Sequence, residues 1–80
     1  MYKELLEYIV KNLINNKDVV TVDETNTDAK IVLRLKVAKE DMGRVIGKEG
    51  RIIRSIREII NAYASKNKEK VAVEIEEIKQ

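Results

Sequence analysis

Two glycines three residues apart, Gly47 and Gly50, interrupt two apolar segments that otherwise have helical periodicity. Glycine adopts positive φ at little steric cost and lets another backbone approach closely, so this spacing predicts a tight turn between two helices. Gly50 is the expected N-cap of the second helix. Because glycine has no side chain that could bond to the free N–H groups of a helix N-terminus, a phosphate oxygen can accept hydrogen bonds from them instead.

Basic side chains surround this turn. Lys48 lies at its tip, and Arg44 and Arg51 flank it. Residues 43–57 contain five basic residues and one acid, Glu49, a local charge of +4 in a chain whose net charge is only +2. A basic patch on a nearly neutral chain indicates an anionic partner that binds at one place. The sequence therefore predicts a phosphate-binding loop.

The first half of the chain reads as one helix and two strands. Apolar residues at helical spacing predict a helix over 2–14, with a stripe made of Tyr2, Leu5, Leu6, Ile9 and Leu13. A β-branched run predicts a strand at 19–22, and the polar segment 25–28 predicts a turn. Residues 30–37 alternate between apolar and polar, which is typical of a half-buried strand.

The second half reads as two helices and a strand. Glu40 and Asp41 favour a helix start, because acids suit the positive end of the helix dipole. After the glycine loop, helix 51–64 has a predicted core stripe made of Ile52, Ile56, Ile59, Ile60 and Tyr63. Residues 65–69 form a polar, lysine-rich loop, and 71–77 alternate as a final strand.

This order, α-β-β-α-α-β, predicts an α+β fold in a single domain over residues 1–80. The first two strands should pair as an antiparallel hairpin. Strands 30–37 and 71–77 are joined by two helices, a connection long enough for a right-handed parallel crossover. We therefore expect a three-stranded mixed sheet with three helices packed on one face.

The residue types that the chain lacks exclude most catalytic sites. It has no histidine and no cysteine, which removes the commonest general base, thiolate metal sites and disulfides. The acids show no metal-ligand spacing, so we predict no metal, no cofactor, no small-molecule substrate and no enzyme activity. The absence of an 18-residue apolar run or a signal-peptide pattern predicts a cytoplasmic protein without a membrane partner.

Nucleotide-binding glycine motifs do not fit. A P-loop needs four residues between its first glycine and the Gly-Lys pair, followed by serine or threonine. Here Gly43 and Gly47 enclose three residues, and Glu49 follows Lys48. The dinucleotide-binding pattern fails as well, because its glycine spacing differs.

The chain has an aliphatic pair (Val45-Ile46), then Gly-x-x-Gly (Gly47 to Gly50), then a further aliphatic residue (Ile53). This sequence resembles the core motif of the KH domain, which has these parts in this order. The element order is similar to the type II, or prokaryotic, KH fold. The resemblance covers nearly the whole chain and extends to the small stand-alone bacterial KH proteins of the KhpA type. It implies an RNA chaperone or post-transcriptional regulator that binds single-stranded RNA, and a homodimer or a heterodimer with a second KH-containing protein.

KH domains clamp about four nucleotides, with the GxxG loop against the RNA backbone. The resemblance implies that Gly43 gives a shallow floor and that strand 30–37 forms the opposite wall, with Arg34 or Lys36 near base edges. The lysines of 66–70 would add backbone contacts. The expected RNA-binding residues are Gly43, Arg44, Val45, Ile46, Gly47, Lys48, Glu49, Gly50, Arg51, Ile53, Arg54, Arg34 and Lys36.

A second interpretation is a KH-fold interaction or dimerisation module with little RNA affinity. Helix 51–64 is apolar over a wider face than one core stripe needs, and Glu49 puts an acid where phosphate would lie. Lys48 and the basic patch favour RNA. Because helical spacing assigns Tyr2, Tyr8 and Tyr63 to packing, we expect no base stacking and weak base selectivity.

Overall fold

The computed structural model describes residues 1–78, which form three α-helices, three strands and three single-turn 3₁₀ segments. The predicted α-β-β-α-α-β order is confirmed. None of the helices in this described part is long and apolar enough to cross a membrane. The elements are α1 (Tyr2–Lys11), β1 (Thr21–Asn26), β2 (Ile31–Val37), α2 (Met42–Ile46), α3 (Arg51–Lys66) and β3 (Val71–Glu77), with 3₁₀ turns at Lys17–Val19, Lys39–Asp41 and Lys48–Gly50.

β2 is the central strand of a mixed three-stranded sheet, as predicted. It pairs antiparallel with β1, where Val22 lies opposite Leu35, and parallel with β3, where Leu33 lies opposite Val73. The α2–α3 connection makes the crossover between the two parallel strands. β1 and β3 are therefore the two edges of the sheet.

The three helices cover one face of this sheet. Alternate strand residues point to that face, so Leu33, Leu35 and Val37 are fully buried while Arg34 is exposed. The helices contribute the other half of the core, which consists of Tyr2, Leu6 and Val10 of α1, Val45 of α2, and Ile53, Ile56, Ile60 and Ala64 of α3. The opposite face of the sheet carries the polar residues.

The predicted bounds of three elements are wrong, and one of them is α3, which ends at Lys66 instead of residue 64. β1 begins at Thr21 and continues through Thr25 and Asn26, which had been expected to turn but pair with Val32 and Ile31. α1 ends at Lys11 instead of residue 14. The error at β1 comes from local propensity, because pairing with β2 outweighs the turn preference of asparagine and threonine.

The predicted core stripe of α3 is also partly wrong. Ile59 and Tyr63 are 51% and 39% exposed, whereas Ile53 and Ala64 are buried. Several overlapping stripes on this helix are apolar, so periodicity alone does not decide which one faces the sheet. On α1, likewise, Leu13 is exposed, while Val10 and the following Ile14 are buried.

Candidate nucleic-acid interface

The loop between α2 and α3 has three residues with positive φ among its four. Gly47 has φ 75° and ψ 177°, a combination that is essentially restricted to glycine. Glu49 (φ 57°) and Gly50 (φ 73°) are left-handed, and Gly50 is the N-cap of α3, as predicted. The Gly47 N–H donates to the Gly43 carbonyl at 2.9 Å, and the Gly50 N–H to the Gly47 carbonyl at 3.2 Å. The backbone of this turn is thus held in one conformation.

Gly47 is also required by a close contact. A Cβ placed on it would lie 2.5 Å from Cγ1 and 2.9 Å from Cβ of Ile52. The corresponding positions at Gly43 and Gly50 have no heavy atom within 4 Å. The first glycine of the loop therefore lets α3 start directly against the end of α2.

The backbone of the loop offers donors to an anion. Lys48 and Glu49 are the first two residues of the 3₁₀ turn, so their N–H groups have no acceptor within that turn. Successive N–H groups in a turn form a concave anion site, and the positive end of the α3 dipole lies beside it. These donors and the dipole together favour an anion at the loop.

The side chains around the loop leave a positive charge at its tip. Among the described residues no carboxylate pairs with Lys48, which is exposed. The Glu49 carboxylate lies 3.8 Å from the Arg51 guanidinium, so its charge is partly balanced. Arg54 donates to the Glu49 carbonyl at 3.4 Å. Arg51 and Arg54 stand in the first turn of α3, where acids are usual, and a bound anion would relieve their repulsion with the helix dipole.

Arg57 was missed as a candidate site residue. Its Nε donates to the Val73 carbonyl at 3.1 Å, on the strand that forms one edge of the sheet. Arg57 follows Arg54 by three residues, so both lie on one face of α3. That spacing is visible in the sequence, but the contact with β3 depends on how α3 crosses the sheet.

The aliphatic motif residues support the loop from below. Val45 is fully buried, Ile53 is 6% exposed and Ile46 is half-buried. These side chains belong to the hydrophobic core or pack against it. Gly43 and Arg44 are exposed on α2, one turn before the loop.

Arg34 and Lys36 lie on the polar face of the sheet, away from the helices and the loop. Arg34 lies 3.3 Å from a carboxylate oxygen of Glu74 and 3.6 Å from one of Glu76. The Lys36 ammonium is 3.9 Å from Asp23 and from Glu76. The structure brings the other predicted residues together around the loop, but not these two.

A buried carboxylate fixes the start of α2. Asp41 accepts the backbone N–H groups of Asn15 at 3.2 Å and Asn16 at 3.1 Å, and the Asn16 side-chain amide at 3.0 Å. Asp41 is the N-cap residue of α2, but its side chain makes no hydrogen bond to the N–H groups of that helix. Burial raises the pKa of Asp41, but these amide donors and the Arg44 guanidinium, 3.6 Å away, more than offset this, and the pKa lies below its ordinary value.

This lowered pKa predicts a loss of stability in acid. Because the unfolded chain binds the proton more tightly, the contribution of Asp41 is complete above the ordinary pKa and is lost as the pH falls through the folded pKa. We expect the Asp41→Asn variant to melt lower at neutral pH and to lose less stability between about pH 5 and about pH 2. Thermal melts across this range test the idea, with Asp28→Asn in the exposed β1–β2 turn as the control. If the Asp41→Asn variant kept the parent's acid profile, as the control is expected to, the lowered pKa of Asp41 would be contradicted.

The family model described as "KhpA/KhpB, KH domain" matches residues 3–75. The chain is 52% identical over 73 residues to the RNA-binding protein KhpA of Clostridium acetobutylicum, which covers 91% of this chain and 97% of that protein. It is 50% identical over 72 residues to the RNA-binding protein KhpA of Caldanaerobacter subterraneus, and this match covers 90% of this chain and 96% of that protein. It is 44% identical over 77 residues to the RNA-binding protein KhpA of Chlamydia pneumoniae, and this match covers 96% of this chain and 99% of that protein.

Among solved structures, the fold matches part of Aquifex aeolicus Era with a TM-score of 0.60 and 15% identity. The match covers 95% of this chain but only 29% of the Era chain. At this identity the likeness concerns the fold alone.

Proposed function

Because this chain belongs to the KhpA/KhpB KH-domain family, we propose that it binds single-stranded RNA and that the loop Gly47–Gly50 holds the RNA backbone. In this proposal the chain works as an RNA chaperone or post-transcriptional regulator in the cytoplasm, by binding alone and without catalysis. The absence of histidine and cysteine from the sequence supports the last point.

The observation that carries the proposal is the pair of N–H groups at Lys48 and Glu49 that have no acceptor within their turn, between two glycines and beside a lysine that pairs with no carboxylate of residues 1–78. Arg44, Arg51 and Arg54 add positive charge around them, and we assign these residues with Gly43 to the phosphate-binding surface. Val45, Ile46 and Ile53 act by holding α2 and α3 under the loop. Base contacts by Arg34 and Lys36 stay a prediction, and their ion pairs favour a role in sheet stability.

This surface should bind RNA with a moderate dependence on salt. If three or four phosphates are neutralised, the logarithm of the affinity should fall with the logarithm of the salt concentration with a slope of roughly −2 to −3. Fluorescence anisotropy with random single-stranded RNA at several salt concentrations measures this slope. Little base preference is expected, because phosphate contacts position a strand and do not specify its sequence.

Duplex RNA of equal length is the control, and it should bind more weakly because the short loop surface suits an extended strand. A slope near zero, or tighter binding to the duplex, would contradict the proposed role of the loop. Undetectable binding of any RNA would favour the alternative function, a protein-interaction module.

We further propose that the chain associates with a second copy or with another KH-containing protein. The support is the outer face of α3, where Ile59 and Tyr63 are 51% and 39% exposed. Exposed apolar side chains that neighbour each other on a helix are typical of an interaction surface.

We expect sedimentation at tens of micromolar to show a dimer that the Ile59→Asp variant converts to monomer, because a charge in an apolar interface is left without a partner. The matched control is Asn61→Asp, which adds the same charge on another face of α3. If the parent were monomeric at this concentration, self-association would be excluded and only a different partner could cover Ile59.

A further inference from the structure

The sheet has two edge strands, and within residues 1–78 both β1 and β3 pair only with β2. Alternate residues of an antiparallel strand turn their backbone N–H and C=O groups towards the partner strand. The Thr27 N–H donates to the Lys30 carbonyl at 2.9 Å and continues the register of β1 with β2. The odd-numbered residues of β1 therefore face β2. The backbone groups of Val22, Glu24 and Asn26 face outwards, and we call these three residues the β1 edge.

A side chain covers the other edge of the sheet. The Ile31 N–H donates to the Lys70 carbonyl at 2.8 Å, so the even-numbered residues of β3 face β2 and the odd-numbered ones face outwards. One outward group, the Val73 carbonyl, accepts a hydrogen bond from Arg57 Nε on α3 at 3.1 Å. A strand that added to β3 would have to displace this arginine, so β3 is guarded against strand addition.

The β1 edge has no such cover. The hydrogen bonds between side chains and backbone within residues 1–78 involve none of its three residues. Of the six residues of β1 only Val22 is buried. The strand extends over about 20 Å. An exposed edge with unpaired N–H and C=O groups is a template for a further strand, so β1 offers a place where a fourth strand can join the sheet.

The side chains of β1 are acidic on both faces of the sheet. Asp23 lies on the polar face, opposite Arg34, and Glu24 lies on the face that the helices cover, opposite Leu33. Among residues 1–78 the Asp23 carboxylate is 3.9 Å from the Lys36 ammonium, and Glu24 forms no ion pair. Two β1 strands that overlapped fully would pair with Glu24 opposite Glu24, which is unfavourable. The charge therefore disfavours the β1 strand of a second copy and favours a basic strand.

The β1 edge ends at a cleft that is also acidic. The cleft has a volume of about 400 Å³, and Glu24, Asn26 and Glu69 are among the residues that line it. The Glu4 carboxylate, which accepts a hydrogen bond from the Met1 amine, raises the pKa of this amine, and the charges of Glu24 and Glu69 add to the rise. Both acids thus make the potential in the cleft negative, which suits a lysine or arginine side chain.

We propose that the β1 edge binds an extended, basic segment of a partner protein, which joins the sheet as a fourth strand. The backbone of the segment pairs with the outward N–H and C=O groups of the β1 edge. Its alternate side chains lie beside Glu24 and the acidic cleft on one face and beside Asp23 on the other. These acids repel phosphate, so the site takes a protein and not RNA. The proposal does not depend on RNA binding by the glycine loop.

Hydrogen exchange with a synthetic peptide tests where the strand is added. The peptide has about seven residues in which lysine and valine alternate, because this length matches β1 and valine favours an extended chain. We expect exchange at the amides of the β1 edge to slow several-fold when the peptide saturates the protein, since these N–H groups become bonded. The outward amides of Val73 and Ile75 on β3 should keep their rates. Slowing that spares the β1 edge, or no binding at about 1 mM peptide, would overturn the proposal.

Methylation of the peptide backbone separates strand pairing from attraction between charges. A version of the peptide in which every backbone nitrogen is methylated keeps its lysines but has no N–H group to donate. It should bind at least about tenfold more weakly than the unmodified peptide. Equal affinities would show that charge alone holds the peptide, which contradicts strand addition.

Charge reversal on the protein gives a matched pair of variants. Glu24→Lys should weaken binding of the lysine–valine peptide about tenfold, because it replaces attraction by repulsion at the β1 edge. The control, Glu77→Lys, makes the same change in charge at the exposed end of β3 and should keep most of the affinity. Both positions are exposed, so the two melting temperatures should stay close to that of the parent. Equal losses of affinity in the two variants would overturn the assignment of the site to β1.

Discussion

Alanine at position 47 should destabilise this protein by about 3 kcal/mol, the largest effect expected of any single substitution in the loop. Two causes add. The φ and ψ of Gly47 are available essentially only to glycine, and the new Cβ would meet Ile52 at 2.5 Å. Rotation of the Ile52 side chain cannot relieve this contact, because its own Cβ, fixed by the α3 backbone, would lie 2.9 Å away.

Thermal and urea melts followed by circular dichroism measure this loss. For a chain of 80 residues, about 3 kcal/mol corresponds to a fall in melting temperature of about 12–24 °C. RNA affinity should fall as well, because the loop backbone must change to accommodate the methyl group.

The matched controls are the two other glycines. Gly43→Ala lies in α2 with open space around it and should be neutral or stabilise by about 0.5–1 kcal/mol, through helix propensity. Gly50→Ala has space but a left-handed φ of 73°, so it should cost about 1–2 kcal/mol. Equal melting temperatures for Gly43→Ala and Gly47→Ala would contradict the close approach of α2 and α3 described above.

The Lys48→Asp/Glu49→Asp variant should bind RNA much more weakly while it keeps its fold. Both positions are exposed and both glycines remain, so the stability change should stay within about 0.5 kcal/mol. Aspartate tolerates the left-handed φ of 57° at position 49 at least as well as glutamate does. Loss of one charged hydrogen bond to phosphate costs about 1.5–3 kcal/mol, so affinity should fall about tenfold or more.

Anisotropy titrations and thermal melts on the same samples test this pair of expectations. The control is Lys17→Asp, which precedes the edge strand β1 and changes the net charge by the same amount. This variant should keep most of the parent's RNA affinity. Glu49→Lys should strengthen binding with little gain in base preference, because it adds a phosphate contact. If the double Asp variant bound RNA as tightly as the parent, the glycine loop would not be the binding site.

The alternation of apolar and polar residues in the strands and the positions of the glycines were sufficient to predict the fold. The observed sheet order follows from the apolar–polar alternation in 30–37 and 71–77 and from the two helices that connect these strands. The turn at Gly47–Gly50 correctly predicted Gly50 as the N-cap of α3. The same alternation places Arg34 on the face opposite Leu33 and Leu35. The carboxylates that pair with Arg34 depend on the register of β2 and β3, which no local pattern specifies.

Periodicity was insufficient wherever several apolar residues competed for one core. α3 could have buried Ile59 and Tyr63, and the sheet instead packs against Ile53 and Ala64, because the rotation of a helix about its axis is set by all its neighbours together. For the same reason, only the structure shows that Ile59 and Tyr63 are the exposed part of the wide apolar face that the sequence predicted for this helix.

The sequence by itself determined the element order, the loop and its charge, because glycine conformations, strand alternation and basic residues act over a few neighbouring positions. Tertiary structure alone decided that Asp41 is buried among backbone N–H groups of the segment after α1, and that Arg57 reaches the β3 edge. These contacts join residues 16 to 26 positions apart. Their formation depends on where the packed core places each backbone, which no local pattern encodes.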